Sequence, residues 1–370
     1  MLHRRALPVL AAALAAAGLA AAAPLGAQAA DPGYRVGVVS ESGDIMTWLR
    51  PGDGTLVMDH VVPVGIMPSD IDGPHNVTVA PDGKSYYISI AHGTPYGSLW
   101  RLSIPGDTLI GRAPLELFPT TISVTPDGEI AFVANSDFYG DRPRINPISV
   151  IHTPTMTKIA DVAACDMPHG VKVNHGGTRV YITCMHSDEI LEMDPGTFSV
   201  SRRARTGGGH EMAGMPGMAH AASAEPVCAP TFVSVSPDDR RFYVACNTGN
   251  TLQVWDAASL TRLREVPVGH GAYNVEASPD GKLVIVTNKK DRSVSILDAG
   301  SFAELARVPT SKPVVHGVAY SPDGRYAYIS SESVGADPGA VDMIDLGTRK
   351  VVTSVPVPLQ PTGITIWSNR

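Results

Sequence analysis

An all-β fold, a seven-bladed β-propeller of four-stranded antiparallel blades, is what the sequence predicts. Three observations carry it. A strand–turn–strand unit recurs along almost the whole chain, further strand pairs follow the units, and the two ends of the chain each supply part of one more blade. Composition agrees. Of 370 residues only 18% are charged, while 36 Gly and 31 Pro punctuate β-branched runs. That pattern argues for many short strands and against a helical bundle or a disordered chain. A net charge of −7 speaks against nucleic acid as a partner.

The repeated unit is a strand, a Pro-Asp-Gly type turn and a second strand. Its copies read HNVTVAPDGKSYYISI from His75, TISVTPDGEIAFVAN from Thr121, HGVKVNHGGTRVYITC from His169, TFVSVSPDDRRFYVAC from Thr231, YNVEASPDGKLVIVTN from Tyr273 and HGVAYSPDGRYAYISS from His316. Apolar and polar residues alternate on both sides of each turn, as in a half-buried hairpin. A second strand pair follows, as in SVSILDAGSFAELARVPT from Ser293, giving four strands per roughly 45 residues. PTGITIW from Pro361 is a lone first strand, whereas YRVGVVSES from Tyr34 and DIMTWLRP from Asp44 lack one. Joined, they make the seventh blade and remove the exposed edges that invite aggregation.

Residues 1–29 carry His3-Arg4-Arg5, an Ala/Leu run from Ala6 to Ala23 and Ala27-Gln28-Ala29, the three regions of a secretory signal peptide. Cleavage after Ala29 leaves residues 30–370 as a single propeller domain, periplasmic or secreted, with no membrane span.

IVTN at Ile285 to Asn288, FVAN at Phe132 to Asn135 and YVAC at Tyr243 to Cys246 each follow a Pro-Asp-Gly or Pro-Asp-Asp turn. In these segments the chain resembles the YVTN family of β-propeller repeats over nearly all of residues 30–370. The resemblance implies the fold. It implies no one activity, because that family and its relatives include surface-layer proteins, lactonases and the propellers of nitrous oxide reductase and of the haem d1 nitrite reductase. Function is therefore a matter of the site.

Aligned on the turn proline, the residue six positions earlier is His75, Thr120, His169, Thr231, Tyr273 or His316, with Thr362 at the matching place in the last strand. These seven should ring one mouth of the central channel, with the three histidines roughly 100°, 150° and 100° apart. Three imidazoles converging from separate blades suit a divalent metal with positions left open for a ligand. Eleven positions after the turn, His92 and His186 join the same face and are the candidate proton-transfer residues. Asp72 and Asp166, in two Asp-x-Pro-His segments, are candidates to orient His75 and His169. The alternative is that these histidines only hydrogen-bond to backbone at the strand start.

Mouth residues are 42 to 49 apart except between His169 and Thr231, where the spacing is 62. The excess is GGGHEMAGMPGMAHAASAE at 207–225, which carries His210, Met212, Met215, Met218 and His220. Thioethers together with imidazoles suit copper better than zinc or magnesium. The other reading is a surface insertion in which the methionines are incidental. The cysteines form two pairs that straddle the turns of blades 4 and 5, Cys165 with Cys184 and Cys228 with Cys246. An exported chain favours disulfides at such positions, with a thiolate metal site as the competitor.

No C-x-x-C-H, Walker, Rossmann or G-x-S-x-G pattern occurs. The leading expectation is an exported binding protein that holds a small ligand or a metal ion, copper or another divalent metal, at the histidine-lined mouth. A metal-dependent oxidoreductase or lyase on the same histidines is the second reading. A scaffold for an exported protein partner, needing no metal, is the third.

Overall fold

The Ser/Thr-Pro-Asp-Gly segments turn tightly because each carries its own lock. Thr125 donates its hydroxyl to Asp127 (2.5 Å) and accepts the Ile130 amide (3.0 Å). Ser278 with Asp280 and Ser321 with Asp323 repeat the arrangement. Gly128, Gly281 and Gly324 follow at φ 80°, 71° and 68°, a left-handed conformation that glycine adopts without a Cβ penalty. Each lock fixes one hairpin's register, and with it which side chains face the channel.

The computed structural model describes residues 32–66, 70–92, 96–138, 145–207 and 226–369. The expected signal peptide and, beyond Gly207, the insertion lie outside them. Among the described residues, 28 strands form seven four-stranded antiparallel sheets, and all lie within Asp31–Arg370. The predicted propeller is therefore the fold. Pro361–Ser368 is the innermost strand of blade 1 and pairs with Tyr34–Ser40, setting Ile366 opposite Val36 and Ile364 opposite Val38. Ile45–Pro51 and Leu56–Pro63 complete that blade. Among the described residues no helix is long and apolar enough to cross a membrane.

Burial grades outward along each blade. Second strands such as Val180–Cys184 are buried throughout, whereas outer strands such as Ser199–Arg205 alternate exposed and half-buried residues. The core lies between neighbouring blades, as where Tyr181, Phe242 and Trp255 stack in turn at 4.3 and 5.9 Å. Both disulfides form, with Cα–Cα distances of 6.0 Å for Cys165–Cys184 and 4.5 Å for Cys228–Cys246. Cys165 ends the outer strand Thr157–Cys165 of blade 3, so its bridge staples blade 3 to blade 4.

A ring of hydrogen bonds fixes the innermost strands. At every blade boundary a hydroxyl of one blade donates to the carbonyl of the next blade's mouth residue. The pairs are Thr362 to His75, Ser89 to Thr120, Thr120 to His169, Thr183 to Thr231, Thr231 to Tyr273, Thr287 to His316 and Ser330 to Thr362, at 2.5–3.0 Å. Those buried carbonyls need partners, and the hydroxyls supply them without side chains that would fill the channel.

Candidate ligand site at the channel mouth

Each mouth residue stands near the start of an innermost strand, Pro74–Val79, Pro119–Val124, Pro168–Val173, Pro230–Val235, Ala272–Ala277, Val314–Tyr320 or Pro361–Ser368. Their shared register puts His75, His169 and His316 in one layer. The His75 ring centre is 6.4 Å from that of His169 and 5.7 Å from that of His316. Tyr273 lies 5.4 Å from His169 and 4.6 Å from His316. Phe118 packs on His75 at 5.4 Å and Phe232 on His169 at 5.0 Å. The three imidazoles are buried, at 6%, 0% and 2% exposure.

Their hydrogen bonds separate them. His169 has both nitrogens engaged, Nδ1 with the Thr231 carbonyl (3.1 Å) and Nε2 with the Tyr273 hydroxyl (3.0 Å). A carbonyl only accepts, so Nδ1 carries the proton and Nε2 accepts from the tyrosine. Burial, reinforced by His75, lowers this imidazole to about 3. His316 is also pushed well below its ordinary value, by burial first and then by Lys289, His75 and His169, so it is neutral. His75 Nδ1 meets Glu41 Oε2 at 2.7 Å, and Glu41 Oε1 meets His92 Nε2 at 3.1 Å. Burial works to raise the Glu41 carboxyl, but His75 and His92 together bring it down to about 2. Among the described residues two buried ring nitrogens lack a well-formed hydrogen bond, His75 Nε2 and His316 Nδ1, although the Thr362 backbone lies close enough to His316 to favour its protonated form against burial.

The orienting carboxylates differ from expectation. Glu41 holds His75, while Asp72 accepts the Ile66 amide (2.6 Å) and Asp166 faces His186 Nδ1 (3.5 Å). A left-handed residue, Gly73 or Met167, stands between each aspartate and its Pro-His pair and turns the chain there. His92 joins the cluster through Glu41, whose hydrogen bond raises its pKa against burial. His186 stands half-exposed with Asp166 as its ion-pair partner.

Residues the sequence reasoning missed complete the site. Lys289 Nζ lies 4.2 Å from the Tyr273 ring centre and 3.7 Å from Glu332 Oε1. Burial raises the Glu332 carboxyl, with Lys289 pulling the other way. Glu41, Lys289 and Glu332 share one place, the position just after or at the end of a second strand, ten past the turn proline in blades 6 and 7. Lys289 and Glu332 in that register were a readable signal, one residue short of the His92 and His186 register.

His210, Met212, Met215, Met218 and His220 lie outside the described residues. Both flanks of their segment are anchored on Asp188. Its carbonyl accepts the Thr206 amide (2.9 Å) and its carboxylate accepts those of Cys228 (3.1 Å) and Ala229 (2.7 Å). Among the described residues no group of three or more His, Cys, Asp or Glu is placed to hold a metal.

Comparison with known proteins points to the same architecture. The family model described as Cytochrome D1 heme domain matches residues 285–367, a stretch that includes His316. Among solved structures, Kuenenia stuttgartiensis hydrazine synthase is 20% identical with a TM-score of 0.64, covering 81% of this chain and 93% of its own. A functionally unknown protein from Desulfotomaculum acetoxidans is 13% identical with a TM-score of 0.71, covering 91% of this chain and 99% of its own. A putative 6-phosphogluconolactonase from Bacteroides fragilis is 13% identical with a TM-score of 0.70, covering 92% and 99%. At these identities the likeness is one of fold. Imidazole is a haem ligand, so the family match asks whether the mouth fits haem. Within the layer itself there is no room between the rings, because the imidazoles pack edge to face against one another and against phenylalanine and tyrosine.

Proposed function

We propose that the protein is an exported YVTN-type propeller that binds a small guest at its mouth, and that this guest is a single copper ion held by His75 Nε2 and His316 Nδ1. The observation that carries the reading is the pair of buried ring nitrogens that lack a well-formed hydrogen bond. A buried polar atom left unpaired costs about 1–3 kcal/mol, and two such atoms on rings 5.7 Å apart share the one deficit that a bound ion removes. With each nitrogen about 2.0–2.1 Å from a common ion, two imidazole centres stand about 5–6.5 Å apart. Glu41 accepts a hydrogen bond from Nδ1 of His75 and orients the ring with Nε2 turned away from the carboxylate, as carboxylates behind metal-bound histidines do. Neutral imidazole suits copper, and the thioethers of Met212, Met215 and Met218 add to that preference. Two disulfides and the N-terminal leader pattern support export.

Metal-free protein titrated with Cu(I), Cu(II) and Zn(II) tests this. The expected result is one copper per chain, with affinity reduced at least about tenfold in His75→Ala and in His316→Ala. A variant lacking 208–225 reads the contribution of the insertion. Absence of saturable copper binding overturns the assignment, and so does a haem absorption band in the protein as purified.

A further inference from the structure

The channel on the other side of the imidazole layer holds a polar cavity of about 310 Å³. Phe232 lines it and also packs on His169 (5.0 Å) and His316 (6.5 Å), so the cavity lies next to the imidazole layer. At the other end it reaches Pro279 in a hairpin turn, so it is approached from the face opposite the mouth. The two-residue period of the inner strands brings Asn76, Thr78, Asn274 and Glu276 to its wall.

Lys172 and Glu276 are the charged residues of that wall, and they come from blades 4 and 6, across the channel. Their side chains are 34% and 31% exposed, and Nζ stands 3.4 Å from Oε1. Strong charge-assisted hydrogen bonds are about 2.7–2.9 Å. The pair is therefore loose, and each head group keeps donor or acceptor capacity directed at the cavity.

From this we infer that the channel binds a small zwitterion, a free α-amino acid, with its carboxylate on Lys172 and its ammonium on Glu276. The wall offers one positive and one negative charge side by side, and an α-amino acid carries the opposite two at the same short spacing. Inserted head to tail, it replaces one loose ion pair with two charge-assisted contacts. The Asn76 and Asn274 amides supply further hydrogen bonds, and Phe232 offers an apolar surface to the side chain. The volume is at the low end of ligand pockets, about 300–1,000 Å³, which limits the guest to single amino acids and similar molecules. A dianion would meet Glu276, and an uncharged sugar would leave both charges unused.

Equilibrium dialysis of the full chain against radiolabelled glycine, serine and glutamine tests the inference, with N-acetylserine, serine methyl ester and glucose as comparison probes. Saturable binding of at least one free amino acid is expected. Blocking either end of serine should weaken it at least about tenfold, as should Lys172→Gln or Glu276→Gln. The paired exchange Lys172→Glu with Glu276→Lys should restore binding, because a zwitterion can enter reversed. Dialysis on metal-free protein keeps the two readings apart, because amino-acid binding is then measured with no copper present and its failure leaves the copper titration standing. Absence of saturable binding by the native protein, binding that survives loss of either charge, or a preference for glucose overturns the inference.

Discussion

Glu41 holds two imidazoles with one carboxylate, and the pH dependence of that contact follows from its direction. Its folded pKa, about 2, lies below the ordinary 4.5, so its contribution to stability is present above pH 4.5 and is lost as pH falls toward 2. The His92 pKa is raised from 6.5, so its contribution is present below 6.5 and is lost as pH rises through the folded value. Thermal unfolding should therefore show native protein and Glu41→Gln furthest apart near pH 5–6, with the gap closing toward pH 2. A gap constant from pH 2 to 8 would contradict the dyad. His169, lowered to about 3 from 6.5, works the other way from His92: unfolded chains take up its proton first, so stability drains as pH falls from 6.5 to 3. His169→Asn should flatten that part of the profile. Sequence reading reached the three mouth histidines because they share the repeat register. It missed Glu41 because its blade is assembled from both chain ends and has no turn proline to count from, and it missed the His169–Tyr273 contact because that bond crosses the channel between residues 104 apart.

Strands and turns were the most legible level, since each Pro-Asp-Gly turn announces a hairpin and each apolar second strand its burial. What the repeat does not announce is how closely the inner strands approach. Gly170 and Gly317 follow mouth histidines, and a Cβ there would stand 2.6 Å from the Thr231 carbonyl oxygen and 2.8 Å from that of Thr362. Those oxygens belong to the hydroxyl-to-carbonyl ring, so a side chain at either glycine pushes neighbouring blades apart. Gly317→Ala should cost about 1–3 kcal/mol in urea unfolding, as overpacked sites do. An unchanged midpoint would mean the blades are not held this tightly. The cysteine pairs were legible because each straddles a turn, although the blade 3 to blade 4 staple emerged only from the topology. With sequence separations of 19 and 18, removal of either bridge by paired Cys→Ser should cost about 3 kcal/mol, read from the same unfolding curves.

At the scale of the whole molecule, the ring depends on its last strand. Ile364 and Ile366 pack with Val36, Val38 and Tyr328 between blades 7 and 1, and Thr362 passes a hydrogen bond to His75. Deletion of 361–370 opens two sheet edges and removes both, so the product should elute as aggregate in size-exclusion chromatography. A monodisperse, fully folded truncation would contradict closure by the terminal strand. That closure also carries the site, because it brings Glu41, near the start of blade 1, against His75 in blade 2 and lets blade 7 present His316 to the same point. Anomalous diffraction at the copper edge from copper-loaded crystals tests this arrangement most directly. One peak is expected about 2.0–2.1 Å from both His75 Nε2 and His316 Nδ1. Copper found only on exposed imidazoles such as His60 or His270, with the two buried nitrogens left empty, would contradict it.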